Sequence, residues 1–340
     1  MKKIISIIIC SFFVSATSFI YSQDTNKIFS TYEEMSAEVV KISGQGDYEN
    51  TALILEKHID KFPENLEIIS HSLATCYNIL RKEKKVISTL LYGQKNGIWY
   101  HDYYFPDEQW KNIKETKAFK NFMKNNEIIR KEAQKLSKSE ILIIEPEEFS
   151  QEKEYPVFLA LHGGFSFIER FKQLWKSEKM KNEFIVVFVQ SSQLASMTSY
   201  IWEDKDIAAR EITDAYNKVN SMYKIKTDEI IIGGFSSGGI ASLETIQRSD
   251  IPIAGFIILS PPKPEDFSEN HVKKMIDKNI RGTIITNPKD PRYKDQREMA
   301  NVYKTNGMQY QFIDTPPIGH WFPDNLNMLI DQSIDFIRNK

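Results

Sequence analysis

The sequence predicts an α/β fold, a mostly parallel sheet with helices on both faces, preceded by a small all-helical domain. From about residue 31 to 135, apolar residues recur at steps of three and four, which is the spacing of amphipathic helices. After Lys138, short β-branched runs alternate with helical stretches, as in parallel sheets buried on both faces. A chain of 340 residues has room for about two domains, and we expect them at 23–137 and 138–340.

The first residues have the layout of a secretory signal peptide. Two lysines are followed by an apolar stretch over residues 4–14. We expect cleavage after Ser22, which predicts a secreted or periplasmic protein without a stable membrane span. One alternative is a retained anchor, because the apolar stretch continues patchily to Ile20, near the minimum length for a span. A lipid-modified Cys10 is disfavoured, because Ile9 stands where a small residue is expected.

Composition excludes several classes of function. The 44 basic and 46 acidic residues nearly balance, so nothing favours a nucleic-acid partner. The six histidines show no ligand spacing and no phosphate-binding or dinucleotide glycine motif is present, so we expect no metal and no cofactor. After signal removal Cys76 is the single cysteine, which excludes an intramolecular disulfide and suits a buried helical position.

The helical region contains a segment, residues 46–97, that resembles a tetratricopeptide-type hairpin and part of the next one. Its signature residues include Gly46, Phe62, Pro63, Cys76 and Gly97. The resemblance covers barely one and a half repeats, whereas an independent stack needs about three. We therefore expect this domain to pack on the next one, with protein contact through it as a further option.

The second region alternates strands and helices in order. Apolar strands are predicted at 141–144, 157–161, 185–189, 230–232, 256–259, 283–286 and 310–313, and helices at 208–223, 240–248 and 325–337.

The segment Gly234-Phe235-Ser236-Ser237-Gly238 lies directly between a predicted strand and a predicted helix. Such a strand, sharp turn and helix present a serine as a nucleophile, with small neighbours to let the backbone pass closely. Ser236 is the predicted nucleophile, because Phe235 stands where the first glycine would be needed for Ser237.

Three further segments supply candidate partners. His162-Gly163-Gly164-Phe165 follows the second strand, where we expect His162 to orient the loop. His320 lies between the last strand and the last helix and is favoured as the base over His271, which lies on a polar helical stretch. Asp290 follows the strand at 283–286 and is favoured as the acid, with Asp295 and Asp266 as alternatives.

Together these motifs make residues 138–340 resemble the α/β hydrolases, near the phospholipase/carboxylesterase and polysaccharide-esterase families. The resemblance rests on the segments 161–164, 234–239, 287–290 and 319–321, which occur in the expected order. It implies a Ser236, Asp290 and His320 triad, with backbone amides of Ser237 and of Gly164 or Phe165 as the oxyanion hole. The acid loop departs from the pattern, because residues 287–288 are Asn-Pro where relatives often carry glycine.

The predicted function is hydrolysis of a carboxylic ester through an acyl-enzyme, on a small-molecule ester or an acylated carbohydrate. Candidate pocket walls are Trp202, Phe235 and Trp321, because loops at the carboxyl ends of strands build the crevice. One alternative is a serine peptidase of the prolyl-oligopeptidase kind, although its usual β-propeller does not fit a helical N-terminal region. Another is a non-catalytic binding protein on the same scaffold.

Overall fold

The computed structural model describes residues 28–339 of the chain. The predicted signal peptide and its cleavage after Ser22 lie outside these residues. Within them, no helix combines the length and apolar character needed to cross a membrane. The chain divides into two compact units between Lys135 and Leu136, close to the predicted boundary at 137–138.

The N-terminal unit is helical throughout its described part. Its α-helices are α1 (Tyr32–Gly44), α2 (Tyr48–His58), α3 (Leu66–Ile79), α4 (Glu83–Lys95), α5 (Asp107–Lys114) and α6 (Lys117–Leu136), with short 3₁₀ helices at Pro63–Asn65 and Asp102–Tyr104. Helices α2 to α4 span the segment that resembles a tetratricopeptide hairpin. Their apolar faces meet in a core that is rich in aromatic residues and contains Cys76, which is buried and forms no disulfide.

The second unit confirms the predicted α/β class. Its strands are β1 (Glu140–Ile144), β2 (Tyr155–Leu161), β3 (Ile185–Gln190), β4 (Ile225–Phe235), β5 (Ile253–Leu259), β6 (Arg281–Thr286) and β7 (Tyr310–Asp314). They form one sheet in the order β1-β3-β2-β4-β5-β6-β7. Strand β1 runs antiparallel to β3, and the other neighbours are parallel.

The helices of this unit cover both faces of the sheet. They are α7 (Ile168–Leu174), α8 (Glu178–Glu183), α9 (Lys205–Met222), α10 (Ser237–Arg248), α11 (Glu269–Asp277), α12 (Tyr293–Thr305) and α13 (Leu326–Arg338). Along β2, Val157 and Leu159 enter one apolar core while Phe158 and Ala160 enter the core on the opposite face. This alternation explains why the strand has an uninterrupted apolar sequence.

The bounds of most elements differ by a few residues from those predicted, and two of these differences lie at the serine turn. Strand β4 continues past Ile232 to Phe235, and α10 begins at Ser237 instead of at residue 240. Gly233 and Gly234 have no side chain that signals a strand, yet they pair in register with Ile257 and Ile258 of β5. The turn is therefore shorter than the sequence indicated, and Ser236 alone connects strand to helix.

Candidate active site

Ser236 occupies a strained position between β4 and α10. Its φ of 53° and ψ of −116° lie in a region that residues with a side chain rarely adopt. The backbone is held there because the Ser236 amide donates to the carbonyl of Leu259 at 2.9 Å, and its carbonyl accepts from the amides of Gly239 and Ile240 at the start of α10. The turn therefore presents the hydroxyl at the carboxyl edge of the sheet.

Glycines on either side of Ser236 allow the turn to pass against β2. A Cβ atom built on Gly234 or on Gly238 would lie 2.3 Å from the carbonyl oxygen of Leu161. No side chain fits at that distance, so the small residues of the motif have a steric role. The same contact brings the end of β2, and the loop that follows it, next to the serine.

The structure brings the three predicted catalytic side chains into one chain of hydrogen bonds. His320 Nε2 lies 2.8 Å from Ser236 Oγ, and His320 Nδ1 lies 2.8 Å from Asp290 Oδ2. When Nδ1–H donates to the carboxylate, Nε2 is left to accept the serine proton, which is the arrangement that a general base requires.

Asp290 is buried and ionised. Burial raises the pKa of its carboxyl, but hydrogen bonds with His320 and from the amide of Arg292, at 2.7 Å, outweigh this effect and lower the pKa overall. Asp266, the second candidate acid, instead forms ion pairs with Lys205 and Arg248 on the surface.

Asp295 and His271 lie on helices away from this chain of hydrogen bonds. Asp295 is in the first turn of α12. His271 lies on α11, where its Nδ1 is 3.3 Å from the hydroxyl of Ser268. Neither is hydrogen-bonded to Ser236, Asp290 or His320 within the described chain.

Two positioning residues were not identified from the sequence. Asn287 is buried and ties the acid loop to the histidine loop, because its amide group bonds to the backbone of Ile318 and Gly319. Gln296 on α12 donates to Pro261 O at 3.1 Å, with Asp290 Oδ1 3.5 Å from the same nitrogen. The only sequence signal for Asn287 was its departure from the family pattern, and Gln296 gave none.

The predicted oxyanion loop lies beside the start of α10. A Cβ atom on Gly164 would lie 3.4 Å from Ser237 Oγ. Among residues 28–339, no protein group accepts a hydrogen bond from the amide of Gly164 or of Ser237, as expected for a loop amide and the first amide of a helix. Phe165 has a φ of 55°, so this loop is strained as the serine turn is.

His162 holds that loop in place and does not reach the serine. It is fully buried, with Nδ1 2.7 Å from the carbonyl of Gly163, and Nε2 accepts from the amide of Ser191 at 3.2 Å. Burial lowers its pKa to about 4, although the Gly163 carbonyl acts in the opposite direction. A neutral His162 therefore orients the loop, which is the role expected for it.

The three aromatic pocket candidates have different positions. Trp202 is buried, and its indole N–H donates to the carbonyl of His162 at 2.9 Å, so it supports the oxyanion loop from behind instead of lining a pocket. Phe235 packs beneath the histidine, with its ring centroid 4.9 Å from that of His320. Trp321 is 47% exposed directly after His320.

A groove with a volume of about 760 Å³ begins at Trp321 and Phe322. Its apolar lining includes Trp175, Met180 and Phe188. It extends from the histidine loop toward the β1 side of the sheet. Among the described residues, no group of three His, Cys, Asp or Glu side chains is arranged to hold a metal ion.

The sequence profile of the phospholipase/carboxylesterase family matches residues 198–283, which include the serine turn. No curated protein matches the chain significantly. Among solved structures, an uncharacterized protein from Bacillus cereus ATCC 10987 is similar at 22% identity and a TM-score of 0.52, over 91% of this chain and 99% of that one.

Two other structures are similar over a smaller share of the chain. A putative dipeptidyl aminopeptidase IV from Bacteroides ovatus ATCC 8483 has 13% identity and a TM-score of 0.48, over 60% of this chain and 34% of that chain. A ferulic acid esterase from Anaeromyces mucronatus, in complex with ferulic acid, has 16% identity and a TM-score of 0.44, over 60% of this chain and 90% of that chain.

The sheet order gives this chain the α/β-hydrolase fold, and the match to the phospholipase/carboxylesterase family is limited to residues 198–283.

Proposed function

We propose that this protein hydrolyses carboxylic esters through an acyl-enzyme on Ser236. The observation that carries the proposal is the unbroken hydrogen-bond chain from Ser236 Oγ through His320 to the ionised Asp290, with both contacts at 2.8 Å. A serine at its ordinary pKa is a weak nucleophile, and a neutral imidazole at this distance supplies the base it lacks.

The reaction proceeds in two halves. His320 Nε2 takes the proton of Ser236 as Oγ bonds to the ester carbonyl carbon, and the bond to the alcohol oxygen then breaks while that oxygen takes the proton back from His320. Water next attacks the acyl-enzyme with His320 again as base, which releases the carboxylic acid and restores the Ser236 hydroxyl. Asp290 keeps the Nδ1–H tautomer and stabilises the transient imidazolium.

The negative charge of the tetrahedral intermediate lies on the former carbonyl oxygen and requires hydrogen-bond donors directed at that oxygen. The open amides of Ser237 and Gly164 are the proposed donors, with the Phe165 amide as the alternative to Gly164. The positive end of α10 adds to their effect, because Ser237 is its first residue. Each such donor contributes about a hundredfold or more to kcat.

The proposed substrates are small-molecule esters or acylated carbohydrates. Support comes from the exposed Trp321 beside His320 and from the adjoining groove, which together offer an aromatic surface and room for one side of a substrate. A secreted or periplasmic location and protein contact through the helical unit are also part of the proposal and rest on the sequence patterns alone.

Covalent labelling tests the nucleophile. A fluorophosphonate probe is expected to label the wild-type protein, and Ser236→Ala to abolish the label without changing the circular dichroism spectrum. Ser221→Ala is the matched control, because that hydroxyl bonds only to a carbonyl within the exposed face of α9, and it should label as the wild type does. Undiminished labelling of Ser236→Ala would contradict the assignment.

A substrate panel separates an esterase from a peptidase. Short-chain para-nitrophenyl esters and acetylated sugars are expected to be cleaved, and Xaa-Pro anilides are not. Faster turnover of the anilides than of the esters would favour a peptidase.

A further inference from the structure

Arg170 lies on α7, just after the predicted oxyanion loop, and its guanidinium faces the indole ring of Trp321. Its Cζ atom is 5.8 Å from the ring centroid. Trp321 follows His320 directly, and its ring centroid is 6.5 Å from that of Phe235, which packs on His320. Arg170 therefore lies beside the catalytic histidine's loop.

The helix that carries Arg170 is anchored against the same loop. Phe171 is buried and packs on Trp175, with its ring centroid 6.4 Å from that of Phe322. Because Phe171 is fixed in the core, the backbone at Arg170 is held in place. The Arg170 side chain therefore stays oriented toward Trp321.

Within the described chain, Arg170 forms no ion pair with a carboxylate. The adjacent Glu169 bonds instead to Lys172 at 2.8 Å. Among the other partly buried arginines, Arg130 pairs with Glu127 at 2.9 Å and Arg338 with Glu229 at 2.9 Å, whereas Arg281 donates to the carbonyl of Phe336 at 2.9 Å. Burial without a compensating anion lowers the pKa of Arg170.

We propose that Arg170 binds a carboxylate group carried by the ester substrate, which makes this enzyme selective for anionic esters. The proposal rests on the proposed function, since it specifies what the same site accepts. A guanidinium remains charged at all accessible pH values and matches a planar carboxylate with two parallel hydrogen bonds. A half-buried arginine that contacts the histidine loop and has no carboxylate partner can pair with an anion that arrives with the substrate.

Trp321 contributes to the same selectivity. The indole face fixes the guanidinium from one side through a cation–π contact, and the ring remains 47% exposed, so apolar parts of the substrate can lie against it. The pair would hold the anionic group of the substrate while the ester carbonyl lies at Ser236.

Two pairs of esters test this, each differing only in charge. Para-nitrophenyl hemisuccinate and its methyl ester place the charge on the acyl side, and para-acetoxybenzoate and its methyl ester place it on the alcohol side. The readout is the ratio of kcat/KM for the charged member over the neutral one. We expect a ratio above one for at least one pair in the wild type, falling about tenfold or more in Arg170→Gln, because a hydrogen bond to a charged group is lost.

Two variants make the result specific. Arg170→Lys should retain part of the ratio, because the charge stays but the paired geometry is lost. Lys224→Gln removes one positive charge just before β4, at the end of that strand away from Ser236, and should leave the ratio unchanged, because Lys224 is paired with Glu152 at 3.3 Å.

The outcomes are distinguishable. A wild-type ratio below one in both pairs, or a ratio that Arg170→Gln does not alter, overturns this inference even if both rates fall, since a purely structural role lowers them equally. Absence of hydrolysis for every ester, together with absence of probe labelling at Ser236, overturns the proposed function itself.

Discussion

The side chain of Asn287 binds the backbone of Gly319 at both its amide and its carbonyl. Its Oδ1 accepts from the Gly319 amide at 3.1 Å, and its Nδ2 donates to the Gly319 carbonyl at 2.7 Å. The same Oδ1 accepts from Ile318 at 3.1 Å. Since His320 is the next residue, this clamp sets where the imidazole lies relative to Ser236.

Replacing Asn287 by alanine is expected to lower kcat by about a hundredfold, because a displacement of about 1 Å of a catalytic group costs that much. KM should change little, since Asn287 is buried beneath the loop and does not contact the exposed site. Steady-state kinetics on a para-nitrophenyl ester measures both. Asn306→Ala is the control, because that amide bonds only within the end of α12; an Asn287→Ala enzyme with wild-type kcat would contradict the clamp.

Asp290→Asn tests the acid. The Arg292 amide donates to one oxygen of Asp290, so the nitrogen of an asparagine would face His320 Nδ1 and favour the Nε2–H tautomer. We therefore expect kcat to fall about ten-thousandfold with the fold retained. Stopped assays over long incubation measure the residual kcat, and circular dichroism checks that the variant is folded. Asp295→Asn should behave as the wild type, and a larger loss there than at Asp290 would reassign the acid.

Trp202→Phe tests the support of the oxyanion loop. The change keeps an aromatic ring but removes the donor to the buried His162 carbonyl, which should cost about 1–3 kcal/mol of stability. Urea unfolding measures this cost. The turnover rate should also fall, because the predicted oxyanion loop is held less firmly. Trp321→Phe, at an exposed indole, should leave stability within about 0.5 kcal/mol. Equal stability of the two variants would show that the indole hydrogen bond is not needed.

The fully buried His162 and the partly buried His71, which stacks on Trp110, predict acid sensitivity. Burial lowers the pKa of His162 and that of His71 to about 4, below the value of about 6.5 for an unfolded chain. The unfolded state therefore binds more protons between about pH 4 and 6.5, so stability is complete above this window and falls as the pH drops through it.

The size of this effect is up to about 1.4 kcal/mol per pH unit for each histidine. Urea unfolding at several pH values measures this effect. His162→Gln should flatten the pH dependence of the free energy of unfolding of the second unit, and His71→Gln should flatten that of the helical unit. A His162→Gln slope equal to the wild-type slope would contradict burial of a neutral His162.

Much of the second unit could be predicted from local patterns. Each strand carries its own β-branched run, and Ser236, Asp290 and His320 lie in short motifs that directly follow strands, so their meeting at the carboxyl edge follows from the parallel order of the sheet. The carboxyl end of β4 was predicted too early, because Gly233 and Gly234 give no side-chain signal and are recognised as strand only by pairing with β5.

Roles that depend on contacts between distant segments could not be predicted. Trp202 was expected to line the pocket, yet it donates a hydrogen bond to the carbonyl of His162, 40 residues earlier in the sequence. No local pattern predicts a contact between such separate segments. The roles of Asn287 and Arg170 were likewise not predictable, because an amide clamp and a cation without an anionic partner are defined by what surrounds them.

The sequence by itself determined the class of fold, the sharp turn at Ser236 and the order of the segments that carry Asp290 and His320, because hydrophobic periodicity and short motifs are local properties. The tertiary structure alone decided how the histidine is held, how the oxyanion loop is supported and which cation faces the site. Those features depend on hydrogen bonds and burial between loops far apart in the chain, and such contacts exist only once the sheet has brought the loops together.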